Sequence, residues 1–146
     1  MIDFQAFGLP APGGSKTTGV RKNGQRFVRD SSQRAAPWKA HVARAAVEAM
    51  GERPLLEGPL LLRVTFTIDR PLRHFGARGL RPSAPPRPIV RPDLTKLLRP
   101  VEDALTGIVW HDDAQVVVQL AEKRYGNPVG VHVVVQAYER DGDAHA

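Results

Sequence analysis

No cysteine occurs among the 146 residues, which excludes disulfides and thiolate metal sites and leaves any metal ion to oxygen or imidazole ligands. No apolar run approaches the roughly 20 residues needed to span a bilayer. The start, Met1-Ile2-Asp3-Phe4-Gln5, has neither the basic lead nor the apolar stretch of a secretory signal. Internal repeats are missing. So is a phosphate-cradling loop, because Ala11-Pro12-Gly13-Gly14-Ser15-Lys16 lacks the Gly-x4-Gly-Lys-Ser/Thr spacing. What remains is a cytoplasmic protein with no membrane partner, of a length that suits one domain with a real core. The expected boundaries are residues 1–138 for that domain and 139–146 for a disordered tail.

Charge is present in excess of one sign, and its distribution says more than the total of +6. Residues 16–44 hold eight Lys/Arg against one acid, and residues 63–99 hold nine against two, so each zone carries +7 and the rest of the chain −8. Two basic zones around acidic segments suit a polyanion gripped at its sides with carboxylates nearby. The plain alternative is an arginine-rich solvated surface.

Periodicity supplies the architecture. Ile2, Phe4 and Ala6 alternate with polar residues as an opening strand. Pro10 to Gly24 reads as a Gly/Pro/Lys-rich loop, with Ser31 or Ser32 as cap of a helix whose stripe is Trp38, Val42, Ala45, Ala46 and Ala49 and whose stop is Gly51. Leu60 to Ile68 alternates most clearly and forms a strand with one buried face. Residues 70–92 carry six prolines among arginines, against any packed strand or helix there. Leu94, Leu97, Leu98, Val101 and Leu105 return to helical spacing, with Asp93 as N-cap, Gly107 as stop and a bend expected at Pro100. Gln115 to Leu120 is a strand by its β-branched content, and Val129 to Ala137 a last strand, in a hairpin with it across Asn127-Pro128. The order βαβαββ implies an α/β (α+β) domain: a small mixed sheet of about four strands with two helices on one face.

Chemistry concentrates late in the chain. Asp93, Lys96, Arg99 and Asp103 lie on the polar side of the second helix, and Asp112-Asp113 stands just before the next strand. A helix start and a strand start can meet at one sheet edge, bringing Asp93 and Asp113 together. Converging carboxylates beside a cation form an oxygen-ligand site for Mg²⁺, and Mg²⁺ next to a basic surface points to phosphodiester hydrolysis. Each piece also has an ordinary reading: Asp93 as a cap, Arg99 with Asp103 as a surface ion pair, Asp112-Asp113 as a turn, His111 as a solvated loop histidine rather than a ligand, Trp110 as core.

The run Arg91-Pro92-Asp93-Leu94-Thr95-Lys96-Leu97-Leu98-Arg99, then Glu102-Asp103-Ala104-Leu105-Thr106-Gly107, then Asp112-Asp113-Ala114-Gln115-Val116 resembles the signature of the RusA family of Holliday-junction resolvases. That signature is a Pro-Asp-x-Asp-Asn-Leu segment, a lysine four residues after the second Asp, Asp-Ala-Leu-x-Gly, and Asp-Asp-x-Gln-Val. Gly8-Leu9-Pro10, Gly14-Ser15-Lys16, Trp38 and Lys123 agree with the flanks. The resemblance implies a homodimeric crossover junction endodeoxyribonuclease of recombination and repair, cutting four-way DNA junctions with Mg²⁺ or Mn²⁺, often from phage or prophage genes. Asp93 matches the first catalytic aspartate and Asp113 the last. The middle aspartate falls on Thr95, the asparagine on Lys96 and the lysine on Arg99, so one carboxylate is lost and an ammonium becomes a guanidinium.

The expected site is therefore Asp93 and Asp113 as metal ligands, Asp112 as the nearest substitute for the missing one ahead of Glu102 and Asp103, and Lys96 or Arg99 on the scissile phosphate. Lys16, Arg78, Arg81, Arg87, Arg91 and Lys123 are the expected DNA contacts. The rival expectations are a junction-binding relative without cleavage, because of Thr95, and a structural protein without a DNA role.

Overall fold

The computed structural model of the chain describes residues 1–13, 16–30 and 33–140, with only the backbone of 16–18 and 28–30. Its strands and helices are β1 (Ile2–Phe7), β2 (Lys16–Val20), β3 (Arg26–Asp30), α1 (Ala35–Met50), β4 (Leu60–Ile68), β5 (Phe75–Gly76), β6 (Gly79–Leu80), α2 (Leu94–Leu105), β7 (Val116–Tyr125) and β8 (Gly130–Ala137). Four of them make one mixed sheet in the order β1-β8-β4-β7. β4 sits inside because its alternation is strongest: Leu60, Leu62, Val64 and Phe66 are buried, while Arg63 faces the other way and is exposed. α1 and α2 pack on each other, α1 also on β1 and α2 on β7. Leu97, Val101 and Leu105 of α2 and Val42 of α1 are fully buried in the single core that joins the helices to β1, β4 and β8, each contributing roughly 1.5–3 kcal/mol of apolar burial. No described helix is long and apolar enough to cross a membrane.

Three expectations are corrected. β7 and β8 do not form a hairpin: β4 lies between them, parallel to β7 and antiparallel to β8. A parallel neighbour requires a crossover, which α2 provides. The link from Tyr125 to Gly130 then has to pass over the end of β4, and the Gly126 N–H donates to the Ile68 carbonyl at 3.0 Å as it does so. A tight two-residue turn cannot span that gap of about two strand spacings, near 10 Å. Second, the segment 10–24 is not all loop, because β2 and β3 form a two-stranded hairpin closed around Asn23-Gly24. Third, the proline-rich segment holds a 3-10 turn at Leu72–His74 and the short ladder of β5 with β6. Ser31 and Ser32, expected as caps, lie outside the described residues; Arg34 occupies the position before α1 and makes no side-chain cap bond.

α2 runs unbroken through Pro100. Proline offers no N–H to the carbonyl four residues earlier, and that carbonyl, on Lys96, instead accepts the Gly13 N–H at 2.8 Å. Gly13 can approach so closely because it has no side chain: a Cβ there would lie 2.8 Å from Pro100 Cγ. The interior proline is thus the docking point of the loop that follows β1. Gly13→Ala is expected to cost about 1–3 kcal/mol by overpacking, read from urea melts, and to cost less in a Pro100→Ala background, where the clash is removed.

Candidate active site

The signature residues between Asp103 and Val116 mostly build the support for two aspartates. Ala104 and Leu105 are buried. The Thr106 hydroxyl donates to the Glu102 carbonyl at 3.1 Å and accepts the Trp110 indole N–H at 3.0 Å, so the last turn of α2 is tied to a fully buried tryptophan. Gly107, at φ 85, takes the left-handed conformation that reverses the chain there. Trp110 was expected in the core and is there.

Gln115 does the rest, and sequence reasoning gave it no role. Its Oε1 accepts the backbone N–H of His111 at 2.9 Å and of Asp112 at 3.0 Å, and its Nε2 donates to the carbonyls of Leu56 at 3.0 Å and Gly58 at 3.1 Å. All four bonding positions of the amide are used, stapling the loop 111–115 to the approach to β4. His111 adds an exposed contact, Nε2 to Glu57 Oε1 at 2.8 Å. Asp112 caps the 3-10 turn Asp113–Gln115 by accepting the Ala114 N–H at 2.9 Å. That bond first, and a hydrogen bond shared with Asp113 second, hold its carboxyl below the ordinary aspartate value.

Across from this loop stands Glu102. It is half-buried at the end of α2, its Oε1 accepts the Gln119 side-chain amide of β7, and its proton affinity is raised by burial first and by Asp113 next. The helix repeat of about 100° per residue puts Thr95, Arg99 and Glu102 in one row on α2, with Lys96 turned aside. Asp93 begins the helix about 13 Å of axial rise before Glu102; it holds the N-cap position, yet its side chain makes no cap bond. The segment leading into it is fixed by Lys123 of β7, whose ammonium donates to the carbonyls of Val90 at 2.8 Å and Pro92 at 2.9 Å. The described interactions therefore set Asp93 at the Lys123 end of α2 and Asp113 near the Glu102 end, with the exposed Thr95 and Arg99 between them along the helix.

Among the described residues no three histidine, aspartate or glutamate side chains converge tightly enough to hold a metal ion alone. Asp113 and Glu102 nonetheless fit a divalent cation of the kind that takes one or two carboxylates and completes its shell with water and phosphate oxygens. Their mutual repulsion, visible in the raised proton affinity of Glu102, is what such a cation relieves.

The expected DNA contacts divide. Arg78 and Arg91 are exposed. Arg81 is exposed and donates to the Phe75 carbonyl at 3.3 Å, and Arg87 bonds Glu122 and the Lys123 carbonyl, each at 3.3 Å. Lys123 acts on the backbone as described. Lys16 lies on β2, its side chain outside the described residues.

The family described as Endodeoxyribonuclease RusA matches residues 10–136 of this chain. The chain is also 27% identical over 138 residues, 92% of its length and 95% of the relative's, to "Uncharacterized protein YqaN" of Bacillus subtilis (strain 168).

Two outcomes follow from these bonds. Gln115→Leu should cost about 3 kcal/mol, from four bonds at about 1 kcal/mol each less compensation by water, with thermal melting as the readout. Glu102→Gln should behave in the opposite sense near neutral pH. A carboxyl with raised proton affinity in the folded state adds stability that is full below the ordinary glutamate range and is lost as pH rises through the raised value. The variant escapes that loss, so it should melt above the parent at pH 7, by no more than about 1 kcal/mol for a half-exposed group, and the two should converge in acid.

Proposed function

The chain belongs to the RusA family of endodeoxyribonucleases, and on that premise we propose that it is a divalent-metal-dependent nuclease that resolves four-way DNA junctions as a homodimer. The observation that carries this reading is the Gln115 staple, which bonds the loop of Asp113 to the approach to β4, with Asp113 near enough to Glu102 to raise its proton affinity.

In this reading Asp113 is a metal ligand, with Asp112 close by and Glu102 as the carboxylate that makes good the loss at Thr95. Asp93, about 13 Å of helix rise from Glu102, acts on the DNA at the other end of α2 rather than on the same ion. Asp112 is the less apt substitute, since one of its oxygens already caps the 3-10 turn. The ion, Mg²⁺ or Mn²⁺, supplies Lewis-acid stabilisation of the phosphate and an acidic water when bound. Arg99 and Lys96 hold the scissile phosphate and offset its growing charge. Lys123 orients the backbone before Asp93 through the Val90 and Pro92 carbonyls. Arg78, Arg81, Arg87, Arg91 and Lys16 grip the arms through phosphates, which makes binding steeply salt-dependent. A two-fold dimer matches the two equivalent strands of a junction.

Thr95 motivates a second reading, junction binding without cleavage. Cutting of a synthetic four-way junction with Mg²⁺, abolished by Asp113→Asn, is expected; binding without cutting would favour the second reading, and neither would sink both. Thr95→Asp should lower the Mg²⁺ needed for half-maximal cleavage. It should also steady the first turn of α2, which holds no acid, by about 0.3–1 kcal/mol through the helix dipole. An unchanged or higher Mg²⁺ requirement would mean that Glu102 or Asp112 already fills the place.

A further inference from the structure

Away from the signature carboxylates, a cleft of about 320 Å³ opens at the far end of β7, lined by Asp69, Arg70, Phe75, Tyr125, Gly126 and Asn127. Its size is at the lower end of small-molecule sites, and its lining combines two aromatic rings, Phe75 and Tyr125, with the polar Asp69, Arg70 and Asn127. Phe75 is 45% exposed there, an uncommon position for a ring unless something covers it. Tyr125 is held rigidly: the Arg70 guanidinium lies 4.5 Å from its ring centre, and the buried His74 meets it edge-on at 5.5 Å. Arg70 is itself fixed by donating to the Pro85 carbonyl at 2.8 Å.

We propose that this cleft takes a single unstacked nucleobase from the branch point of the DNA, a proposal that rests on the junction-nuclease reading. Stacking on aromatic rings suits any base, because each presents a π face. The Asp69 carboxylate, the Asn127 amide and the Arg70 guanidinium are the acceptor and donor types that meet base edges. Those edges are inaccessible in a paired stack, and extruding a base costs least where pairing is already broken, as at a crossover. Location favours the same occupant. Tyr125 lies two residues beyond Lys123 on the same face of β7, since their register partners Ile68 and Phe66 share one face of β4, a separation of about 7 Å. Lys123 in turn holds the chain entering Asp93. Arg70 and Phe75 bring the arginine-rich segment to the cleft, and the exposed Arg73, Arg78 and Arg81 lie within a few residues of Phe75 in sequence, so a ligand carrying phosphates is favoured over a neutral aromatic one.

The test places 2-aminopurine at each crossover position of a junction in turn and adds Asp113→Asn protein in chelator, so that nothing is cut. The expected result is a change in emission at one position, missing on linear duplex of equal length and lost when Phe75→Ala is added. Phe75→Ala should weaken junction binding about tenfold while melting like the parent, because its ring is half exposed. Asn127→Ala in the protein with Asp113 intact should level the cleavage rates among the four bases at that position. An emission change that survives Phe75→Ala, or none on a junction that the protein demonstrably binds, would overturn the base pocket and leave the nuclease reading standing. A parent protein that neither binds nor cuts junctions would overturn that reading, and the pocket with it.

Discussion

The position of β4 is the constraint on which the rest of the structure depends. It is the strand with the deepest alternation, buried at Leu60, Leu62, Val64 and Phe66, and such a strand is most stable with neighbours on both sides. β8 pairs with it antiparallel and β7 parallel, and a parallel pair cannot be closed by a turn. The chain must leave the end of β4, cross the sheet face and return to its start. That return path is α2 together with the loop 106–115, and every acid of the signature lies on it. The packing of α2 beside β7 follows from one strand's demand for two partners.

Placing the helix over the sheet does not fix how it sits, and further bonds do so. The Lys96 carbonyl, to which Pro100 cannot donate, is bonded by the Gly13 N–H instead. The Gly13 bond ties the chain after β1 to the first half of α2, Lys123 ties the approach to Asp93 to β7, and Thr106 ties the helix end to Trp110. Against a net contribution of about 1 kcal/mol per hydrogen bond, core burial dominates the free energy. The bonds decide geometry rather than stability, which is what a site with catalytic tolerances needs.

The elements legible in the sequence were those whose signal is local. α2 shows as a leucine stripe, β4 as a strict alternation, and the acids of the signature as a pattern at fixed spacing. The β7–β8 pairing was misread because adjacency along the chain was taken for adjacency in the sheet, and only the crossover rule for β4 and β7 separates them. The β2–β3 hairpin did carry a local signal, Asn23-Gly24 between runs containing Thr17, Thr18, Val20, Phe27 and Val28, a dipeptide favoured in tight hairpins; the glycines and prolines before it obscured this. Gln115 and Glu102 were illegible in a stronger sense. An amide's role depends on which four groups meet it, and the weight of Glu102 depends on Asp113 arriving from a separate loop, and neither is encoded by spacing.

The two ends of α2 share a design that bears on how chemistry and fold coexist here. Asp93 and Asp113 are both exposed, yet the backbone beneath each is held by a side chain from elsewhere, Lys123 at one end and Gln115 at the other. Exposure lets a carboxylate reach a ligand, while the bonded backbone limits where it can point. The half-buried Glu102 is different: burial first and Asp113 next raise its proton affinity, so its charge is less favourable in the protein than in water. In the proposed metal-dependent reading, a cation held near Glu102 and Asp113 would offset the repulsion between them, and with Thr95 supplying no carboxylate, water and the phosphate of a bound DNA would be left to complete its shell.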